Sequence, residues 1–132
     1  MLQYMLDSDT CIYIGKASPS KLVERFNRVG NQICISTITL AELFYGVENS
    51  GRRAGNLETL DGLVGRLTVL PFSADAASHY GQICVELQKA GTPIGPYDML
   101  IGAHARAEGL VLVTNNEREF RRITGLRVEN WI

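Results

Sequence analysis

The sequence predicts an α/β protein, a three-layer α/β/α sandwich with a mainly parallel central sheet. Short apolar runs of strand length alternate with longer segments whose apolar residues recur every three or four positions, as on one face of a helix. Most connections between the apolar runs span a dozen residues or more, which is the length that a helical crossover between parallel strands requires. With 132 residues, the chain is long enough for one domain over residues 1–132 with a substantial core.

In the first half of the chain, glycine, serine and proline mark where the predicted elements begin and end. Gly30-Asn31 predicts a turn, and Ser50-Gly51 interrupts a helical pattern. Ser18-Pro19 is typical of a helix start. The predicted elements are a strand over 2–6, helices over 10–14 and 18–28, a strand over 32–36, and helices over 39–48 and 52–66.

The second half contains the same kinds of helix caps and breakers. Ser73 is suited to cap a helix, and Pro96 is suited to the first position of another. Gly91 and Gly109 are expected to end these two helices. The predicted elements are a strand over 67–72, helices over 73–91 and 96–108, a strand over 110–114, a helix over 116–123 and a strand over 126–129.

Composition and charge argue against several classes of protein. The formal net charge of -1 lacks the basic balance of many nucleic-acid binders, and no apolar run approaches the roughly 20 residues of a membrane span. Three well-separated cysteines favour reduced core thiols over a disulfide or zinc framework. His79 and His104 each lack a second histidine or cysteine at ligand spacing, which argues against zinc. We therefore expect a cytoplasmic protein without membrane association.

Four carboxylates lie where apolar strands stop or helices begin: Asp7, Glu42, Asp98 and Glu119. Ligands bind beyond the carboxyl ends of the strands in open α/β sheets, so these acids are expected to converge there. Two unit charges about 4 Å apart repel by roughly 4 kcal/mol at an effective dielectric constant of 20. A divalent cation removes that repulsion, and all-oxygen ligands select a hard ion, Mg²⁺ or alternatively Mn²⁺. Such a metal suits hydrolysis of phosphodiesters by activated water.

Each acid also has a structural explanation. Asp7 is explained as a turn residue after a strand. The other three stand three residues after a helix-capping position, where an acid satisfies free amides and the helix dipole. These spacings are Thr39 to Glu42, Gly95 to Asp98 and Asn116 to Glu119. The structural and metal explanations are compatible, because helix N-termini offset some of the repulsion between gathered carboxylates.

Four segments together carry a resemblance to a known family: MLDSDTCI at 5–12, ISTITLAELFYG at 35–46, GPYDMLIGAHA at 95–105 and LVTNNEREF at 112–120. In this order and at this spacing they resemble the PIN-domain ribonucleases and, within that family, the VapC-type toxins of type II toxin-antitoxin systems. The resemblance covers essentially the whole chain. It implies the three-layer fold, Mg²⁺-dependent endoribonuclease activity, and a small VapB-like antitoxin that blocks the acidic site.

The resemblance assigns roles residue by residue. It implies that Asp7 and Asp98 are the principal metal ligands and that Glu42 is the second acid of the site. Glu119 matches the acid that precedes the closing phenylalanine of the last segment. The implied catalytic set is therefore Asp7, Glu42, Asp98 and Glu119.

Three polar residues are expected to support these acids. Asn116 and Thr114 match polar positions of the family, and Ser8 lies beside the first acid of the site. The sequence departs from the family's pattern in two places. Asp9 stands where relatives commonly have asparagine, and Glu119 stands where many have aspartate. Asp9 either joins the site or caps the following helix.

Substrate and partners are also implied by the resemblance. It implies a structured RNA loop as substrate, such as the anticodon region of tRNA, initiator tRNA among them. It further implies a toxin homodimer and a larger complex with the antitoxin that binds operator DNA through the antitoxin.

Two other functions are consistent with parts of the sequence. Asp7 and Asp9 would be the nucleophile and proton donor of a haloacid-dehalogenase-type phosphatase. Such an enzyme also needs a positioned lysine and a late acidic pair, and no adjacent acidic pair ends a late strand here. A non-catalytic α/β domain that binds a partner is the second alternative.

Overall fold

A five-stranded parallel sheet forms the middle layer of the fold. The structure is a computed structural model and describes residues 1–16 and 20–132. The strands are β1 (Tyr4–Leu6), β2 (Ile33–Ser36), β3 (Thr68–Leu70), β4 (Val111–Val113) and β5 (Val128–Glu129). Their order across the sheet is β3-β2-β1-β4-β5, and every neighbouring pair is parallel. The predicted parallel sheet is confirmed, and β1 lies at its centre.

Helices cover both faces of this sheet, as the sequence predicts. They are α1 (Ser8–Gly15), α2 (Lys21–Val29), α3 (Thr37–Glu48), α4 (Arg53–Val64), α5 (Ala74–Ala90), α6 (Pro96–Glu108) and α7 (Glu117–Phe120). A short 3₁₀ helix at Gly30–Gln32 replaces the predicted turn. No helix among the described residues has the length and apolar character needed to cross a bilayer.

Alternating side chains along the strands divide the interior into two cores. Met5 packs with residues of α5, α6 and α7, whereas Leu6 packs on the opposite face with residues of α1 to α4. Leu112 and Val113 of the adjacent strand divide in the same way. Successive side chains of a strand point to opposite faces, so the two cores follow directly from the strand geometry. The three-layer α/β/α sandwich is therefore confirmed.

The predicted helix caps on the α5 and α6 side of the sheet are confirmed. Ser73 Oγ accepts a hydrogen bond from the backbone of Ala76 at 3.1 Å. Pro96 occupies the first turn of α6. Gly91 and Gly109 both end their helices with φ near 69°, a left-handed conformation that glycine adopts without steric cost.

Several element boundaries differ from the predictions. The strands are shorter than predicted, because flanking apolar residues such as Leu67 and Leu126 pack on the core without joining the sheet. Helix α7 likewise ends at Phe120. The predicted start of the second helix at Ser18-Pro19 lies outside the described residues. Within them, Ser20 caps α2 by accepting from the backbone of Val23 at 3.2 Å.

All three cysteines are free thiols, as predicted. Cys11 and Cys34 are buried and Cys84 is half-buried. Burial raises the pKa of the Cys34 thiol to about 12, so it stays protonated at neutral pH. Buried, protonated thiols of this kind are inert, and the structure assigns them to packing.

Candidate active site

The four predicted acids lie at one edge of the sheet. Asp7 directly follows β1, and Glu42 lies on α3, the helix that follows β2. Glu119 lies on α7, which follows β4. Helix α6 leads back to the start of β4, so its first turn, with Asp98, lies at the same edge. The carboxyl ends of parallel strands share one edge, and this edge is where α/β proteins bind ligands.

The electrostatics of Asp98 show that these acids converge. Burial raises the pKa of Asp98 from 3.8 to about 6, and the negative charges of other acids add to that rise. Their contributions decrease in the order Glu42, Glu119, Asp7 and Asp9. A like charge disfavours ionisation only when it is near, so the other three predicted acids and Asp9 all surround Asp98.

Asp7 is held rigidly at the end of β1. Its carboxylate is 4% exposed, and Oδ1 accepts a hydrogen bond from the backbone of Thr10 at 3.0 Å. The hydroxyl of Thr114 donates to Oδ2. Burial raises the pKa of Asp7 more than these hydrogen bonds lower it. The interpretation of Asp7 as a turn residue is wrong, because it is the N-cap of α1, which begins at Ser8 rather than at residue 10.

A chain of hydrogen bonds extends from Asp7 toward Glu119. The backbone of Asn116 donates to Thr114 Oγ1 at 2.9 Å. The side-chain amide of Asn116 donates to Glu119 Oε2, also at 2.9 Å. Thr114 and Asn116 therefore hold the side chains of Asp7 and Glu119, and their supporting role in the site stays a prediction.

Burial and neighbouring acids disfavour the charged form of the Glu42 side chain. Its Oε1 is buried and accepts no hydrogen bond among the described residues. Burial raises the pKa of Glu42, the negative charges of Asp7 and Asp9 raise it further, and a hydrogen bond from Ser8 lowers it. The capping interpretation of Glu42 is wrong, because α3 begins at Thr37 with Ser36 as its N-cap.

Asp98 and Glu119 do stand in the first turns of α6 and α7. Their helix N-terminal positions are those that the sequence predicts. Asp98 occupies the third position after Gly95 and forms no hydrogen bond with an amide of its helix terminus among the described residues. Glu119 Oε2 accepts only from the side-chain amide of Asn116, the N-cap of α7, in the same part of the chain. These carboxylates thus benefit from the helix dipole and keep oxygen atoms free for a ligand.

The acids lack a neutralising partner from the protein. None of the ion pairs formed by residues 1–16 and 20–132 includes any of the five acids. Within the same residues, no group of three or more carboxylates, histidines or cysteines is arranged to hold a metal ion. Two carboxylates with water molecules are nevertheless a usual Mg²⁺ site, so the donor set fits a hard divalent cation.

The arginines beside Glu119 have separate structural roles. Arg121 forms an ion pair with Glu117 at 3.6 Å. Arg122 donates to the carbonyl of Pro93 at 2.9 Å. Arg118 is exposed and forms no ion pair among the described residues, so it is the member of the group that is free to meet a phosphate.

Two further residues lie near the site: Thr10, and Asp9, which the sequence left open between a place in the site and a helix cap. Thr10 is buried, its backbone binds Asp7, and its hydroxyl donates to the carbonyl of Val113 at 3.2 Å. The Asp-x-x-Thr spacing was an available capping signal. Asp9 raises the pKa of Asp7, Glu42 and Asp98. It therefore adds negative charge to the site in addition to occupying the first turn of α1.

Comparison with known proteins decides between the functions consistent with this site. Residues 4–126 match the PIN domain family model. The chain is 51% identical over 131 residues to the tRNA(fMet)-specific endonuclease VapC of Salmonella typhimurium, covering 99% of both chains. It is 46% identical over 132 residues to the ribonuclease VapC2 of Haemophilus influenzae, covering 100% of both. The chain belongs to the VapC ribonucleases of the PIN-domain family.

The VapC fold is matched over its whole length by a solved relative. The structure of DNA-bound VapBC from Salmonella typhimurium superposes with a TM-score of 0.96 at 51% identity and covers 100% of both chains. The resemblance predicted from the four segments is confirmed, and this VapC is an endoribonuclease of the toxin-antitoxin class. PIN-domain nucleases generally use a divalent metal, in agreement with the acidic donor set. The comparisons give no support to the phosphatase or to the non-catalytic alternative.

Proposed function

We propose that this VapC ribonuclease is a Mg²⁺-dependent toxin that hydrolyses a phosphodiester in the anticodon region of initiator tRNA. The observation that carries the proposal is the gathering of acidic charge around Asp98, whose pKa rises to about 6. Such a gathering fits a site that binds a cation before it binds an anionic substrate. The tRNA(fMet) specificity named for the Salmonella relative supports the choice of RNA.

We assign the metal to Asp7 and Asp98 as ligands. The pKa of each carboxyl is raised in the metal-free protein, and neither forms an ion pair with a cationic side chain among the described residues. When bound, Mg²⁺ lowers the pKa of a coordinated water and stabilises the charge that develops on the phosphate oxygens. Thr10 and Thr114 fix the Asp7 carboxylate in one orientation. Mn²⁺ has similar preferences and is expected to substitute.

Glu42 and Glu119 complete the proposed catalytic set. The unpartnered Oε1 of Glu42 is available to accept a hydrogen bond from water at the site, while Ser8 orients the carboxylate. Glu119, held by Asn116, helps to place the attacking water. We propose that water attacks phosphorus and the P–O3′ bond breaks, so the 3′ oxygen leaves as a 3′-hydroxyl and the phosphate stays on the 5′ end of the other fragment. Because the 2′-hydroxyl takes no part as a nucleophile, no 2′,3′-cyclic phosphate forms.

A VapB-like antitoxin is the proposed inhibitor. A groove of about 370 Å³ lies between α1, α3 and α4, and its walls include Ile12, Leu43, Val47 and Leu60. Glu42 also lines it, so the groove reaches the acidic site. An amphipathic antitoxin helix in this groove would bury apolar side chains and direct a basic residue at the acids. The VapBC complex of the Salmonella relative supports such a partnership.

The remaining assignments concern the assembly and its location. We propose that the chain acts as a single domain over 1–132 and forms a homodimer in the cytoplasm. The toxin and antitoxin together would bind operator DNA through the antitoxin, as the DNA-bound relative suggests. RNA would be attracted by the bound metal and by exposed arginines such as Arg118, so its affinity should fall with salt.

The direct test is cleavage of defined RNAs by antitoxin-free protein. Initiator tRNA and elongator methionine tRNA are incubated with Mg²⁺ or with EDTA, with Asp98→Asn as the matched inactive protein. We expect the wild type to cleave initiator tRNA in Mg²⁺, and we expect no cleavage in EDTA or by Asp98→Asn. Equal cleavage of both tRNAs would contradict the assignment of initiator tRNA as the substrate. Cleavage in EDTA would contradict a mechanism that depends on Mg²⁺. Release of phosphate from a small phosphomonoester without RNA cleavage would restore the phosphatase alternative.

A further inference from the structure

A buried histidine connects the two helices that carry Glu42 and Asp98. His104 lies on α6 and is 0% exposed. Its Nδ1 lies 2.8 Å from Ser36 Oγ, across 68 residues of sequence. The same Ser36 oxygen accepts a hydrogen bond from the backbone of Ile38 at 3.0 Å and so caps α3. One hydroxyl thus joins the start of the Glu42 helix to the middle of the Asp98 helix.

The surroundings of His104 favour a neutral ring. A serine hydroxyl has one proton and two lone pairs, and Ile38 occupies one lone pair. The contact with Nδ1 is therefore made either by the hydroxyl proton or by an Nδ1 proton on the other lone pair. The Nε2 atom is buried and has no partner among the described residues. Burial also lowers the pKa of His104, which agrees with a neutral ring.

Stability alone does not account for this residue. A buried imidazole with one unpartnered nitrogen forfeits solvation that an aliphatic side chain of similar size would not. The ring also has one fixed orientation, because it packs edge-to-face on Phe72 with centroids 5.4 Å apart. A buried polar group that keeps one unpartnered nitrogen and is held in one orientation is better explained by what it positions.

What it positions is the pair of acids at the edge of the sheet. Glu42 lies on α3 and Asp98 on α6, and these two helices contact each other, so the spacing of the carboxylates depends on how α3 packs against α6. We propose that His104 is a positioning residue that, through Ser36, fixes the start of α3 against α6 and thereby sets the separation of Glu42 and Asp98. This inference rests on the proposed function, since it concerns the geometry of the same site.

The test separates positioning from stability. His104→Leu removes the contact with Ser36 and leaves the Ser36 cap intact. We expect kcat for initiator tRNA to fall about 10- to 100-fold with KM little changed, since displacements below 1 Å have effects of this order. The urea unfolding midpoint should stay equal or rise. His104→Asn places an amide atom near the position of Nδ1 and should restore most of kcat.

A double-mutant cycle and a matched control make the outcome decisive. Ser36→Ala removes both the contact with His104 and the cap of α3, so it should lower kcat alone, but the combined loss with His104→Leu should be clearly less than additive. His79→Leu, which removes a histidine held by Arg106 at 2.9 Å, should leave kcat unchanged. Unchanged kcat in His104→Leu, additive losses, or a loss matched by the fraction unfolded would overturn the inference. If His104→Leu does not fold, the same comparison of Ser36→Ala with Ser36→Thr tests the contact from the other helix.

Wild-type protein distinguishes the two possible failures. If wild-type protein does not cleave RNA at all, the proposed function fails. If wild-type protein cleaves and His104→Leu cleaves equally well, only the positioning role fails.

Discussion

Replacing Asp98 by asparagine is expected to stabilise the metal-free protein while abolishing cleavage. The Asp98 side chain forms no hydrogen bond or ion pair among the described residues, so the substitution removes no stabilising contact. It does remove a negative charge that burial and four nearby acids disfavour. Asparagine is close in size and leaves the fold undisturbed, whereas the proposed metal ligand is lost.

The magnitude follows from the pKa of Asp98. A carboxyl whose pKa is raised from 3.8 to about 6 in the folded protein binds its proton more tightly than in the unfolded chain. Folding is therefore penalised as pH rises from about 4 through about 6, and the full penalty is present at neutral pH. The difference corresponds to roughly 3 kcal/mol, and solvent screening of a half-buried group reduces it to about 1–2 kcal/mol.

Urea denaturation in EDTA measures this effect directly. At pH 8, Asp98→Asn should raise the free energy of unfolding by about 1–2 kcal/mol, and at pH 4 the two proteins should be equally stable. Added Mg²⁺ should stabilise the wild type more than the variant, because the variant retains only Asp7 of the two proposed ligands. Lower stability of the variant at pH 8, or a difference that does not depend on pH, would refute the electrostatic reasoning.

Five further substitutions, at four positions, test individual contacts of the site and of the fold. Asp7→Asn should retain folding, because asparagine caps a helix as well as aspartate does, whereas Asp7→Ala should lose about 1 kcal/mol of stability. Urea titrations compare the two variants, and both should be inactive in RNA cleavage. Thr114→Val removes the hydroxyl that donates to Asp7, so the pKa of Asp7 should rise further and calorimetry should show weaker Mg²⁺ binding. Unchanged Mg²⁺ affinity would contradict this role of Thr114. Gly102→Ala would place Cβ 2.5 Å from Ile123 Cδ1 and should cost about 1–2 kcal/mol. Gly62→Ala, where nothing lies within 4 Å of the new Cβ, should instead stabilise α4 by about 0.5–1 kcal/mol, and thermal unfolding distinguishes the pair.

The order of elements could be predicted because their boundaries are locally encoded. Pro96 and Gly109 limit α6 through backbone geometry that depends on no distant residue. The sequence does not determine where α3 begins, because Ser36, Thr37 and Thr39 are all residues that can cap a helix. Ser36 takes the role in the structure, and this moves Glu42 away from the helix end.

The convergence of the acids followed from topology, but their hydrogen-bond partners did not. Parallel strands bring Asp7 and Glu119 to one edge, whatever the details of packing. The contact of Thr114 with Asp7 spans 107 residues, and that of His104 with Ser36 spans 68. Neither has a local spacing that signals it, since such contacts are set by how helices dock on the sheet. Burial has the same origin, and therefore the unpartnered Oε1 of Glu42 was not foreseen.

The chemical nature of the fragment ends shows whether metal-activated water cleaves the RNA. Antitoxin-free protein is incubated with initiator tRNA and Mg²⁺, and the fragments are mapped by primer extension and by ligation that requires a 5′-phosphate. The account predicts one cut in the anticodon region that leaves a 3′-hydroxyl and a 5′-phosphate, and no cut in EDTA. Fragments that end in a 2′,3′-cyclic phosphate and a 5′-hydroxyl, formed equally well in EDTA, would show that the RNA's own hydroxyl attacks and that the acidic site does not activate water.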